Sequence, residues 1–233
     1  MLSRRQLAIG GFVPFSTVDH PGCLSAVLFC QGCSWRCKYC HNPHLQAFRS
    51  GDLEWQSILR FLESRRGLLD SVVFSGGEAT LQAALPEALA EVKSLGFKVA
   101  LHSAGKNPAI FSASLPLLDW VAFDFKTLPS GYAELTGDLK SRDDALASLF
   151  LLLDAGIDFE LRTTVHPELI SYEQLLELAK FLAGLKVDRF ALQEFRSRGC
   201  SDKSLQQSFR SIQDWDFKAI ADLFNEFEFR PAC

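Results

Sequence analysis

Cys33, Cys37 and Cys40 stand at C-x3-C-x2-C spacing just after an apolar run, Leu24-Ser25-Ala26-Val27-Leu28-Phe29. Three thiolates on one short loop can hold three irons of a cubane iron–sulfur cluster, whose irons normally take four thiolates. The fourth iron is then open to a substrate. About thirty-five residues further on, Ser75-Gly76-Gly77-Glu78 closes a second apolar run, Val72-Val73-Phe74. Glycines let a backbone approach a ligand closely, and a carboxylate beside them can accept from an ammonium group. A lone Gly-Gly-Glu is a common turn. At a strand end next to a cysteine loop, it becomes a candidate holder for the amino-acid part of a substrate on the open iron.

Two other chemistries compete for the cysteines. Zinc takes paired C-x2-C knuckles, or one such pair with two histidines. Cys30/Cys33 and Cys37/Cys40 could form two pairs, and His41 and His44 add donors, so a zinc-stapled binding module without catalysis is the non-enzyme reading. Only three residues separate the two pairs, however, whereas zinc ribbons space theirs widely. A C-x2-C redox dithiol needs no third and fourth cysteine. The cluster reading leaves Cys30 as a strand-end neighbour that is not a ligand.

The chain has 233 residues, 48% hydrophobic and 22% charged, with twenty Phe to fill a core. This is the composition of a globular α/β domain. A net charge of −4 gives no electrostatic case for nucleic acid. Seven cysteines, four of them crowded between Cys30 and Cys40, do not form the dispersed framework of a secreted domain. Ser3-Arg4-Arg5-Gln6-Leu7 superficially resembles a twin-arginine leader, but the apolar stretch after it stops at Pro14 and lacks a cleavage site. No apolar run reaches the roughly twenty residues a bilayer demands. The expected location is cytoplasmic, with no membrane partner.

Short β-type runs alternate with longer amphipathic ones. Strands are expected at residues 24–29, 71–75, 98–103, 120–125, 159–165 and 189–193, and helices at 53–65, 83–95, 143–155 and 172–182 with a shorter one at 108–114. Six strands separated by helices imply a parallel sheet with right-handed crossovers. The distinctive polar residues all fall at carboxyl ends of strands: the cysteine loop, Ser75–Glu78, His102-Ser103, Asp124 and Lys126, Arg162 and Thr164, Gln193 and Glu194. That edge is where parallel α/β folds build their sites. The expected organisation is one domain: an N-terminal extension of about 1–22, a core of about 23–196, and an irregular tail of about 197–233.

With these motifs in view, the chain resembles the radical S-adenosylmethionine superfamily. The residues that carry the resemblance are Cys33-x3-Cys37-Lys38-Tyr39-Cys40 and Gly76-Gly77-Glu78. The longer segment from Gly11-Phe12-Val13-Pro14 through Asp19-His20-Pro21-Gly22 to Cys40-His41-Asn42-Pro43 resembles the glycyl-radical-enzyme activating branch. It is most similar there to activating proteins of anaerobic ribonucleoside-triphosphate reductase. The resemblance covers about the first 195 residues and is strong in the first eighty. It implies a partial (β/α)6 barrel and a [4Fe-4S] cluster on Cys33, Cys37 and Cys40 whose open iron chelates S-adenosyl-L-methionine. It further implies one-electron cleavage to methionine and a 5′-deoxyadenosyl radical, which takes hydrogen from a partner's glycine. The reductase is thus the implied protein substrate, and a flavodoxin- or ferredoxin-type protein the implied electron donor.

The same resemblance assigns roles position by position. Tyr39 would stack near the adenine, and Asn42 would bond the cofactor or cap its loop. Gly76, Gly77 and Glu78 would cradle the amino-acid end. Ser103 would lie on the cofactor, with Asp124 and Lys126 as the Asp-x-Lys strand end and Arg162 near the methionyl carboxylate. Ordinary packing or ion pairing competes at each. Ala79 replaces the proline that usually follows Gly-Gly-Glu. His102 stands where related activases often carry Asp, which argues against a monovalent cation there. Cys200 and Cys233 are expected to be non-ligands. Activation of another glycyl radical enzyme, or small-molecule chemistry of the carboxydeazaguanine synthase kind, remains an alternative on this evidence.

Overall fold

The computed structural model describes residues 7–208 and 210–232; Ser3 to Gln6 of the leader-like segment, and Cys233, lie outside them. Eight strands form one sheet in strict chain order: β1 (Ile9–Ser16), β2 (Ser25–Cys30), β3 (Ser71–Gly76), β4 (Lys98–Ser103), β5 (Trp120–Asp124), β6 (Asp158–Val165), β7 (Arg189–Glu194) and β8 (Glu226–Arg230). β1 runs antiparallel to β2, and every later pair is parallel. Helices fill the crossovers: α1 (Trp55–Glu63), α2 (Leu85–Ser94), α3 (Pro108–Ser114), α4 (Tyr132–Thr136), α5 (Ser141–Asp154), α6 (Tyr172–Gly184), α7 (Lys203–Gln206) and α8 (Lys218–Ala221). The α/β class is as expected. β1 and β8 are the two edges, so the sheet is an open, partial barrel. Among the described residues no helix is long and apolar enough to cross a membrane.

Local sequence explains where these elements begin and end. Ser171 and Gln174 form a reciprocal capping box at the start of α6. Asn107 accepts from the Ile110 backbone to start α3, with Pro108 in its first turn. Along the central strands alternate side chains serve two faces. Ala26, Leu28, Val72, Phe74, Val99, Leu101, Val121 and Phe123 join the large core under the helices. Val27, Val73, Ala100, Trp120 and Ala122 form a smaller cluster on the other face. Both faces are buried, which is why these strands read as near-continuous apolar runs.

The six expected strands are β2 to β7, and two more extend the sheet. The presumed N-terminal extension contributes β1, whose Phe12 packs edge-on against Phe61 of α1 at 5.1 Å. The tail read as irregular contributes β8. There Phe227 and Phe229 pack against the core, while Arg230 donates to both carboxylate oxygens of Glu160 on β6 at 2.9 and 3.0 Å.

Candidate active site

All twelve residues singled out from the sequence, Cys33, Cys37, Tyr39, Cys40, Asn42, Gly76, Gly77, Glu78, Ser103, Asp124, Lys126 and Arg162, line one cavity of about 430 Å³. It lies at the carboxyl ends of the strands, with the cysteine loop after β2 as one wall. Backbone bonds hold that loop: Gly32 donates to Leu45 at 2.7 Å, Cys33 to Gln46 at 3.1 Å and Arg36 to Thr136 at 2.7 Å. Cys30 is fully buried in the apolar core and is absent from the cavity wall. Among the described residues no three His, Cys, Asp or Glu side chains converge on a single-ion site; a cubane, with one thiolate per iron, requires no such convergence.

Gly76 and Gly77 lock the loop in place. Gly77 donates to the Cys30 carbonyl and Glu78 to that of Gly32, both at 2.9 Å. Gly76 has φ +122°, and a Cβ there would collide with the Cys30 backbone. A Cβ on Gly77 would stand 2.5 Å from the Gly32 oxygen and 2.8 Å from that of Leu45. The space gained by having no side chain is therefore filled by the cysteine loop itself, where the sequence reading had assigned it to close approach of a cofactor.

Glu78 is buried and held by four donors. The Thr80 amide (3.1 Å), Thr80 hydroxyl (2.6 Å) and Ser103 hydroxyl (2.6 Å) donate to Oε1, and the Ala104 amide (2.9 Å) to Oε2. Oε1 is saturated while Oε2 keeps acceptor capacity. Ser103 thus works through Glu78 as well as lining the wall. Asn42 precedes a short helical turn but makes no side-chain capping bond, so capping does not account for its amide.

Across the cavity, Arg162 joins two groups. Its Nε donates to Asp124 Oδ1 at 2.9 Å, and its Nη1 lies 3.4 Å from His102 Nδ1. His102 Nε2 lies 2.7 Å from the Asp19 carbonyl. A neutral ring satisfies both contacts, donating through Nε2 and accepting through Nδ1. Burial, then the Arg162 charge, pushes its pKa down to about 3. Lys126 lies 3.8 Å from Asp124 and sits over the Tyr39 ring at 5.6 Å. Burial alone would raise Asp124, but Arg162 and Lys126 hold its carboxyl below the usual range. Burial would likewise lower Lys126, yet Tyr39, Asp124 and Cys37 hold it well above an ordinary lysine. Burial, with Glu78 nearby, pushes the Cys33 thiol up to about 12. A metal held there would have to displace that proton, because the thiolate is the form that binds metal.

Asp19, Gln46 and Arg196 also line the cavity and were missed by sequence reasoning. Asp19 sits in the β1–β2 connection, Gln46 behind the cysteine loop and Arg196 past β7. None lies at a strand end that an apolar run could flag.

Residues 27–182 match the Radical SAM superfamily. A Methanocaldococcus jannaschii protein named as a glycyl-radical enzyme activating enzyme is 28% identical over 206 residues, covering 85% of this chain and 84% of its own. The pyruvate formate-lyase-activating enzyme of Clostridium pasteurianum is 30% identical over 215 residues, covering 85% and 87%. Among solved structures, Streptococcus suis SuiB bound to S-adenosylmethionine is similar with TM-score 0.65 at 17% identity. That likeness covers 87% of this chain and 48% of SuiB, so the chain spans about half of SuiB's length. QueE from Escherichia coli gives TM-score 0.55 at 16% identity, covering 97% and 94%. These two likenesses establish the fold alone.

Fold and cavity define a cofactor-dependent α/β enzyme with its chemistry at the carboxyl ends of a parallel sheet. The chain belongs to the radical SAM superfamily, whose cofactors are a [4Fe-4S] cluster and S-adenosyl-L-methionine, and its relatives in that superfamily include proteins named as glycyl-radical enzyme activating enzymes.

Proposed function

We propose that this chain is an activase of glycyl-radical enzymes, generating its radical on a glycine of an anaerobic ribonucleoside-triphosphate reductase. In this reading Cys33, Cys37 and Cys40 ligate the cluster and Glu78 accepts from the ammonium group of S-adenosyl-L-methionine. The supporting observation is convergence: twelve residues from five separate segments line one cavity. The donor set fits, with three thiols on one loop and a carboxylate facing them that retains a free acceptor site. When bound, the cofactor pair supplies a 5′-deoxyadenosyl radical. The protein's residues do the rest by orienting, neutralising charge and excluding water. Arg162 and Lys126 balance Asp124 beside the site, while Tyr39 and Asn42 face the space left for the nucleoside. We read the chain as one cytoplasmic domain, supplied with electrons by a flavodoxin- or ferredoxin-type protein.

The segment from Gly11 to Pro43 favours the reductase as partner. The 30% identity to a pyruvate formate-lyase-activating enzyme favours pyruvate formate-lyase as the second reading. Mixing the reconstituted protein anaerobically with each partner, cofactor and reductant decides between them. A doublet glycyl signal is expected on the reductase. The same signal on the lyase alone moves the assignment there. The ligand set has its own test: Cys33→Ala, Cys37→Ala and Cys40→Ala should each lose stable iron and sulfide, while Cys30→Ala keeps most of both. Equal loss in Cys30→Ala would overturn the set.

A further inference from the structure

Tyr132, the first residue of α4, is fully buried and is joined to two walls of the active-site cavity. One wall is the cysteine loop. Trp35, between Cys33 and Cys37, lines the cavity, and its ring meets that of Tyr132 edge-on at 6.1 Å. The last residue of α4 grips the same stretch, the Arg36 amide donating to the Thr136 carbonyl at 2.7 Å. Arg36 in turn donates Nη1 to the Cys33 and Trp35 carbonyls at 2.6 and 2.9 Å. The other wall is the end of β5. Its ladder with β6 stops at the pair Asp124 and Arg162, so the Lys126 amide has left the sheet. The Tyr132 hydroxyl accepts from that amide at 3.0 Å, and the Tyr132 ring meets Phe125 edge-on at 5.3 Å.

The hydroxyl and the ring thus serve different walls. A buried amide without a partner is costly, so the hydroxyl fixes where the chain turns after Asp124. That turn carries the Lys126 ammonium to Asp124 and over the Tyr39 ring. Edge-on aromatic pairs at these centroid distances hold a preferred geometry, which seats Trp35 and with it the Cys33–Cys37 stretch. The helix itself is anchored. The Thr136 hydroxyl donates to the Tyr132 carbonyl at 2.8 Å, Gly137 ends the helix at φ +71°, and Asp138 pairs with Lys106 at 2.9 Å.

We propose that Tyr132 is a positioning residue that sets the separation between the cysteine loop and Lys126. Its ring seats the loop and its hydroxyl seats Lys126, so one rigid side chain holds the two walls in register. The proposal rests on the reading of Lys126 as a contact of S-adenosyl-L-methionine and of the three cysteines as cluster ligands. Tyr132 touches neither group itself and acts only through Trp35 and Lys126.

Tyr132→Phe keeps both ring contacts and removes the acceptor of the Lys126 amide. After anaerobic reconstitution it should hold wild-type iron and sulfide, yet bind S-adenosyl-L-methionine about tenfold more weakly. Tyr132→Leu removes the ring contacts as well and should also lose iron and sulfide. Lys126→Met should itself weaken binding, and adding Tyr132→Phe to it should cost much less than tenfold, because the hydroxyl acts through Lys126. Phe190→Leu, in the core of β7 against Phe224, should lower the urea midpoint and leave cofactor affinity unchanged. Wild-type affinity in Tyr132→Phe, full additivity with Lys126→Met, or an equal loss of affinity in Phe190→Leu would each overturn the proposal. Wild-type affinity in Lys126→Met alone would instead overturn the reading of Lys126, and the proposal with it.

Discussion

Glu78 is aimed by its neighbours, and Thr80 supplies two of its four hydrogen bonds. Glu78→Ala should keep the cluster but lose about 1.5–3 kcal/mol of cofactor binding, roughly a tenfold to hundredfold drop in affinity. Thr80→Val removes the hydroxyl bond to Oε1, along with the acceptor of the Asn107 amide, and should cost about tenfold, while Thr80→Ser restores binding. Titrating cofactor into reduced protein, followed by electron paramagnetic resonance, measures all three; equal affinities in Thr80→Val and wild type would remove Thr80 from the positioning set. This pair marks the boundary of what sequence shows at this scale. The cysteines and Gly-Gly-Glu were legible because their chemistry is written in local spacing. The links from Asp19 to His102, Arg162 and Asp124 were not, because they join segments brought together only by strand register. Thr80 was hidden too, because its link to Glu78 and Asn107 lies in a short turn with no motif of its own.

At the scale of elements, the β3 end and the cysteine loop form one interlocked piece. A methyl group on Gly77 must displace the Gly32 and Leu45 carbonyls, an overpacking cost of about 1–3 kcal/mol. Gly77→Ala should therefore keep its far-ultraviolet circular dichroism yet bind much less iron and sulfide after anaerobic reconstitution. Normal iron content would show that the loop tolerates the shift. The central strands were legible because burial on both faces gives long apolar runs. β1 was obscured by Gly10, Gly11 and Pro14, which suit an edge strand and weaken its pattern. β8 reads Glu-Phe-Glu-Phe-Arg, and its alternation was lost among the charges of the tail. Those charges have a structural use, since Arg230 reaches across β7 to the buried Glu160.

At the scale of the whole molecule, histidines set the response to acid. His20, His41, His102 and His166 all have lowered pKa values, burial being the leading cause in each, and His102 falls to about 3. Below about pH 6.5 the unfolded chain takes up protons that the native protein refuses, so stability falls as pH falls; above that value these groups contribute no slope. Urea midpoints of metal-free protein should be flat between about pH 7 and pH 8 and decline steadily toward pH 5. A midpoint unchanged down to pH 5 would contradict this, and His102→Gln should make the decline shallower. The order of the sheet carries one more consequence. Because each strand lies beside its predecessor in the chain, the growing polypeptide can add strands one at a time to an exposed edge as it leaves the ribosome. The thiols and their glycine latch are in the chain once β3 has emerged, whereas Thr136, which also holds the loop, and Arg162 and Arg196 arrive later. For the interval of synthesis between them, the three thiols of the loop face the cell before their chamber has walls, open to oxidation.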